Sequence, residues 1–300
     1  MMKDEGNAIE HLMSGNNSHP VSENAPRGLR QRSTLPLIIV AALFIIVPFL
    51  TWYTTWFGRG LTDEKITEYI SDETKPRHVQ HALAQIAERL DKKDESARRW
   101  YPQIVALSNS NVAELRSNVA WLMGKDNRVQ EFHAALLNLL KDKEPIVQRN
   151  AALSLVTFSD ASGRVVLREM LQPHALAAPI EGEVSSVLKD GTPVKMGMML
   201  ARIRQSDNQT LEVRAPLPGE IGKVVVAEGT KLAAGDTMLF IKPDSNSVWE
   251  ALRGLYLVGE RDDLPEVERY VQGVEKMPEE IKKQASLTAE AIQRRGGNAQ

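Results

Sequence analysis

Hydrophobic and polar positions divide the chain into stretches of different texture. The first is an apolar block. No charged residue lies between Arg32 and Arg59, a run of 26, and its centre reads LPLIIVAALFIIVPFL over 35–50. About 20 apolar residues at 1.5 Å each cross a hydrocarbon core of roughly 30 Å. The block is apolar on every side rather than along one stripe, unlike a helix packed on a folded core. A transmembrane helix is therefore expected over 35–57, with Arg32 at one boundary and Trp52, Tyr53 and Trp56 at the other. A cleaved secretory signal is the competing reading. The 34 residues ahead of the block and the missing small-x-small cleavage site weigh against it. Arg27, Arg30 and Arg32 outnumber Arg59 and Lys65, which favours an N-terminus in the cytoplasm. The chain then reads as a single-pass protein of the inner membrane, meeting the bilayer through Leu35 to Phe57, with its bulk in the periplasm. Residues 1–34, rich in Asn, Ser, Gly and Pro, read as a flexible tail with too little apolar surface to fold.

From 61 to 173 apolar residues recur at helical spacing, broken by polar turns. The segments are ITEYI (66–70), VQHALAQIAERL (79–90), WYPQIVALS (100–108), NVAELRSNVAWLMG (111–124), VQEFHAALLNLL (129–140) and IVQRNAALSLV (146–156). Taken in pairs they predict a helix-turn-helix unit about every 32–36 residues, the period of an α-solenoid. EPIVQRNAALSLV (144–156) resembles a HEAT repeat: an acidic turn with Pro, an apolar-polar pair, then Ala-Ala-x-Leu. A helix pair with one apolar stripe cannot bury it alone, so neighbouring pairs stack and share a core. The resemblance implies a long exposed face that binds other proteins; a mere spacer is the plainer alternative.

At His174 the texture changes to strand-length runs rich in Val, Gly and Pro. This stretch repeats itself. APIEGEV (178–184) returns as APLPGEI (215–221), DGTPVKMG (190–197) as EGTKLAAG (228–235), and MMLARI (198–203) as TMLFI (237–241). Gly182 and Gly219 mark tight bends, and Gly191, Gly197, Gly229 and Gly235 mark turns. The pattern, over 177–243, resembles the biotinyl/lipoyl domain, a flattened barrel of two four-stranded sheets. In members that carry a cofactor, a Lys at the tip of the hairpin joining the halves is biotinylated or lipoylated. Here that hairpin is RQSDNQTLEV (204–213), and the Lys position falls on Asn208 beside Asp207. Neither side chain forms the amide that a Lys amine forms, so no cofactor is expected. Lys195, in Val-Lys-Met, sits outside this hairpin. Unmodified domains of this kind also occur in periplasmic adaptor proteins, where a long helical hairpin splits the halves; here a tight turn joins them.

Helical texture resumes at 246 with SVWEALRGLYLVGERDD (247–263), LPEVERYVQGVEK (264–276) and PEEIKKQASLTAEAIQRR (278–295). SGRVVLREMLQP (162–173) has the look of a first helix without its second. The β-domain, 174–245, thus reads as an insertion into one helix pair, with 246–295 completing and capping the array; three domains in series is the alternative. The expected class is α+β multidomain.

Composition narrows the chemistry. With 37 Lys+Arg against 39 Asp+Glu the chain lacks the basic excess of a nucleic-acid binder. No Cys excludes disulfides, thiolate metal sites and Cys nucleophiles. His78 and His81 share a helix face without a third ligand at suitable spacing, and His133 and His174 stand alone. No P-loop, Gly-x-Ser-x-Gly or His-Glu-x-x-His is present. No catalytic or metal-binding residue is expected. The reading is a membrane-anchored, non-enzymatic scaffold that binds proteins through its helical array and unmodified β-domain. A subunit of a transport or secretion complex comes second. A biotin or lipoate carrier comes third and is disfavoured by Asn208.

Overall fold

A computed structural model describes residues 35–54 and 60–297. The class is α+β: eleven α-helices and eight strands among the described residues, the strands forming two antiparallel sheets. Residues 1–59 and 60–300 form separate units.

The first unit contributes one described helix, α1 (Leu35–Thr54), which runs through Pro48. The expected membrane span is corrected here. Among the described residues no helix is long and apolar enough to cross a membrane. The single-pass topology, the inner-membrane and periplasmic placement, and the bilayer contact over Leu35 to Phe57 fall with the span. Arg32 and Trp56 lie outside the described residues, as does the expected tail over 1–34; Trp52 and Tyr53 belong to the last turn of α1.

In the second unit the periodic segments fold as α2 (Asp63–Ile70), α3 (Pro76–Asp91), α4 (Tyr101–Leu107), α5 (Ala113–Met123), α6 (Gln130–Leu139) and α7 (Pro145–Thr157). After the strands come α9 (Ser245–Val258), α10 (Leu264–Gln272) and α11 (Glu279–Gly297), and α8 (Arg164–Glu169) precedes them. The starts follow elementary rules. Pro occupies the first turn of α3, α4, α7 and α10, where its missing N–H is not needed. Thr62 and Asp244 cap α2 and α9, accepting from the backbone N–H of Lys65 and Ser247. Only half of the segment 162–173 is α-helical: a 3₁₀ turn precedes α8, which has six residues.

One apolar core runs through α2 to α7 and a second through α7 to α11. α7 serves both, turning Val147, Ala151 and Leu155 to the first and Ala152 and Val156 to the second. Between neighbouring helices the same polar device recurs. The Ser154 hydroxyl donates to the Ala120 carbonyl at 2.7 Å, and the Thr288 hydroxyl to the Leu252 carbonyl at 2.9 Å, pairs 34 and 36 residues apart. A buried ion pair adds register. The Arg116 guanidinium grips both Asp142 oxygens, at 2.6 and 2.9 Å, and donates to the Ser110 carbonyl.

Strands β1 (His174–Ala177), β2 (Gly182–Val187), β3 (Pro193–Val194), β4 (Met199–Arg204), β5 (Thr210–Arg214), β6 (Gly219–Val224), β7 (Lys231–Leu232) and β8 (Thr237–Lys242) fill the gap between α8 and α9. One sheet has the order β1-β8-β6-β3 and the other β5-β4-β2-β7. The duplication seen in sequence is a duplication in packing. Val184, Ile203 and Leu232 cluster on one side; their counterparts Ile221, Ile241 and Val194 cluster on the other. α8 and α9, separated by all eight strands, share one core through Leu167, Leu171, Val248 and Leu252. The chain therefore leaves the helical stack and rejoins it at adjacent points.

Asp142 tests the register. Burial acts to raise its pKa, but Arg116 and the Glu144 N–H outweigh burial and hold it below the ordinary carboxylate value. The pair's contribution is thus complete above pH about 4 and is lost as pH falls through the folded-state value. Asp142→Ala strands a buried guanidinium and is expected to cost about 3–5 kcal/mol in urea unfolding at pH 7. A loss below about 1 kcal/mol would place the pair among surface bridges of little weight.

Candidate functional site

Three places could carry function: the hairpin tip, the titratable clusters, and the exposed face of α5, α7 and α9.

At the tip, β4 and β5 are joined by a tight turn. Gln205 N–H donates to the Gln209 carbonyl at 2.8 Å, Asn208 N–H to the Gln205 carbonyl at 3.1 Å, and Gln209 N–H to the Asp207 carboxylate at 2.9 Å. Asn208 holds φ +61°, the left-handed region its short polar side chain tolerates, and it is exposed. The residue at the apex is an amide and offers no nucleophilic amine. The turn glycines Gly191, Gly197, Gly229 and Gly235 all have positive φ, from 77° to 94°. Gly182 and Gly219 act differently: they admit a crossing strand. A Cβ on Gly182 would lie 2.5 Å from Ile203 Cγ2, and one on Gly219 would meet the Lys242 carbonyl.

Tyr69 stacks on His78, ring centroids 4.2 Å apart, with His81 at 6.4 Å. Burial, then the neighbouring His78, pushes the His81 pKa down. His133 does not stand alone: its Nε2 lies 2.6 Å from Asp160, whose other oxygen accepts from the Ser162 N–H. Tyr101 donates to Asp126 at 2.8 Å, and burial followed by that carboxylate pushes its pKa up to about 12. Arg149 is 7% exposed, and burial lowers its pKa to about 10 despite Asp244 and Glu169. Among the described residues no group of three or more His, Asp or Glu is placed to hold a metal ion.

The third place was not visible in the pattern of the chain. Trp121 on α5 is 52% exposed and Leu257 on α9 is 60% exposed. With Leu153 and Val156 of α7 they line a groove of about 340 Å³ across the three helices. Glycines set its floor. A Cβ on Gly124 would lie 2.6 Å from Ser154 Oγ, and one on Gly254 2.9 Å from Leu167 Cδ1, so both helices approach as closely as backbone allows. The rim is charged. Lys125 Nζ sits 4.2 Å from the Trp121 ring centre and bonds Asp91 at 2.7 Å. Arg253 and Glu250 stand at the α9 side. Burial, then Asp244, raises the Glu250 pKa. The groove is concave, mostly apolar and flanked by charge.

No family model and no curated relative matches the chain. A solved structure described as a single-chain, multi-domain long-chain acyl-CoA carboxylase is similar over 34% of this chain. The match spans only 11% of that protein, at 21% identity and a TM-score of 0.23. An overlap of that size fixes neither fold nor activity.

The tip chemistry has a direct check. Intact mass spectrometry of the purified chain should return the mass of the bare polypeptide; a discrete adduct mapping to 204–213 would show that another side chain serves in place of a Lys.

Proposed function

We propose that this protein is a non-enzymatic scaffold that docks a partner protein in the groove across α5, α7 and α9, with the β-domain as a second presented module. The observation that carries this reading is the exposure of Trp121 and Leu257 on one helical face, around an apolar depression. Isolated surface apolar residues are ordinary, but contiguous ones rimmed by charge mark interaction surfaces. Trp is also the residue type most often found to anchor an interface. The HEAT resemblance of 144–156 supports the same reading, because α7 is the helix that floors the groove. The rim selects the occupant. Arg253 is exposed and makes no ion pair among the described residues, and Glu250 is exposed nearby. A partner helix with apolar anchors one turn apart and an acidic flank fits this arrangement.

Two substitutions separate docking from folding. Trp121→Ala and Leu257→Asp both change exposed side chains, so the unfolding midpoint should move little. Affinity purification with the unaltered chain should recover a stoichiometric partner, and the doubly substituted chain should lose it by about 10-fold or more. Equal recovery with a normal midpoint would sink the groove as the docking site.

A further inference from the structure

The internal two-fold of the β-domain creates two equivalent sockets, and the chain itself fills one of them. At the root, where the domain meets the helices, a cleft of about 470 Å³ is lined on the β side by Gly219, Glu220 and Lys242. At the opposite end, beside the hairpin tip, a cleft of about 370 Å³ is lined by Gly182, Glu183 and Arg204. These are the same positions in the two halves, 37, 37 and 38 residues apart. Pro193 and Pro243 of the root cleft likewise answer to Lys231 and Gln205 of the tip cleft. The two sockets therefore share a backbone shape, set by the glycine that lets a neighbouring strand pass close.

The root socket shows what such a cleft holds. The segment between α10 and α11 lies over it, contributing Val274, Lys276 and Met277. Lys276, in a left-handed conformation at φ +65°, reaches across and its Nζ donates to Glu220 at 3.1 Å. A cation set between Glu275 and Met277, with Val274 close by, thus meets the socket's carboxylate. At the tip the equivalent carboxylate is Glu183, with Glu181 added where the other half has Pro218. Besides these, only β7 lines that cleft, through Lys231 and Leu232; no segment of the helical array does, and Glu183 is held by its own neighbour Arg204 at 2.8 Å.

We infer that the tip socket is a second docking site, which takes a loop of a partner protein presenting Lys or Arg beside apolar residues, as Val274, Lys276 and Met277 do at the root. The incoming cation exchanges with Arg204 on Glu183, and the apolar residues beside it cover the strand crossing at Gly182. This site is independent of the α5–α7–α9 groove and of whatever docks there.

The probe is a capped synthetic peptide of residues 272–279, titrated into the full chain and followed by calorimetry. The root socket is already occupied intramolecularly, so the peptide reports on the tip. The expected result is saturable one-site binding, weakened about 10-fold or more by Glu183→Gln or by Lys276→Ala in the peptide, and within about 2-fold of normal for Glu220→Gln. Absence of saturation at millimolar peptide overturns the proposal, as does binding indifferent to Glu183→Gln. Sedimentation provides a further check. A homodimer that Glu183→Gln dissolves would assign the socket to a second copy of this chain and overturn the partner assignment.

Discussion

The pairing of β1 with β8 is the interaction on which the rest of the molecule depends. His174 stands opposite Ile241 and Leu176 opposite Leu239 in an antiparallel ladder, so the first and last strands of the β-domain end side by side. A helical stack built from neighbour-to-neighbour contacts tolerates an interruption only if the chain returns to where it left. Because the ladder closes the root, α9 lands on α7 and α8, and Val248 and Leu252 complete a core begun by Ala152 and Leu167. Without that closure α7 would expose its second apolar face.

The groove proposed for docking follows from the same closure. The groove exists because α9 lies beside α7 as α7 lies beside α5, bringing Leu257 near Trp121 across helices whose glycines permit close approach. The root is further pinned by Lys276 on Glu220 and by Tyr270, whose hydroxyl donates to the Leu171 carbonyl at 2.8 Å. These contacts orient one end of the β-domain against the helices and leave the hairpin tip, with Asn208 at its apex, facing outward. The structure thus presents two surfaces of different chemistry: an apolar groove anchored by an aromatic ring, and a charged socket on a small β-fold.

Much of this architecture is legible in the amino-acid order, because it rests on periodicity. The apolar stripe of 79–90 or 130–139 forms a helix wherever it packs, and the duplicated Ala-Pro-x-x-Gly elements fold as equivalent halves. What depends on distant neighbours is not legible. Trp121 sits between Ala120 and Leu122, both buried, and nothing in NVAELRSNVAWLMG distinguishes the exposed ring from the core residues beside it. The Arg116–Asp142 pair joins residues 26 positions apart, and His133 finds Asp160 across 27. The apolar block over 35–50 shows the converse limit: hydropathy along the chain predicted a span across 35–57 that the described helix does not supply.

Excision of the β-domain tests the central claim most directly. If β1 and β8 close the insertion, replacing 174–242 by a short Gly-Ser linker of about four residues should leave a helical stack that unfolds cooperatively. Near-ultraviolet circular dichroism should retain the signal of the buried Trp100, which donates its indole N–H to Thr67. A chain that keeps its helical content yet loses that signal and its cooperative transition would show that the β-domain is part of one indivisible core, and would contradict the account.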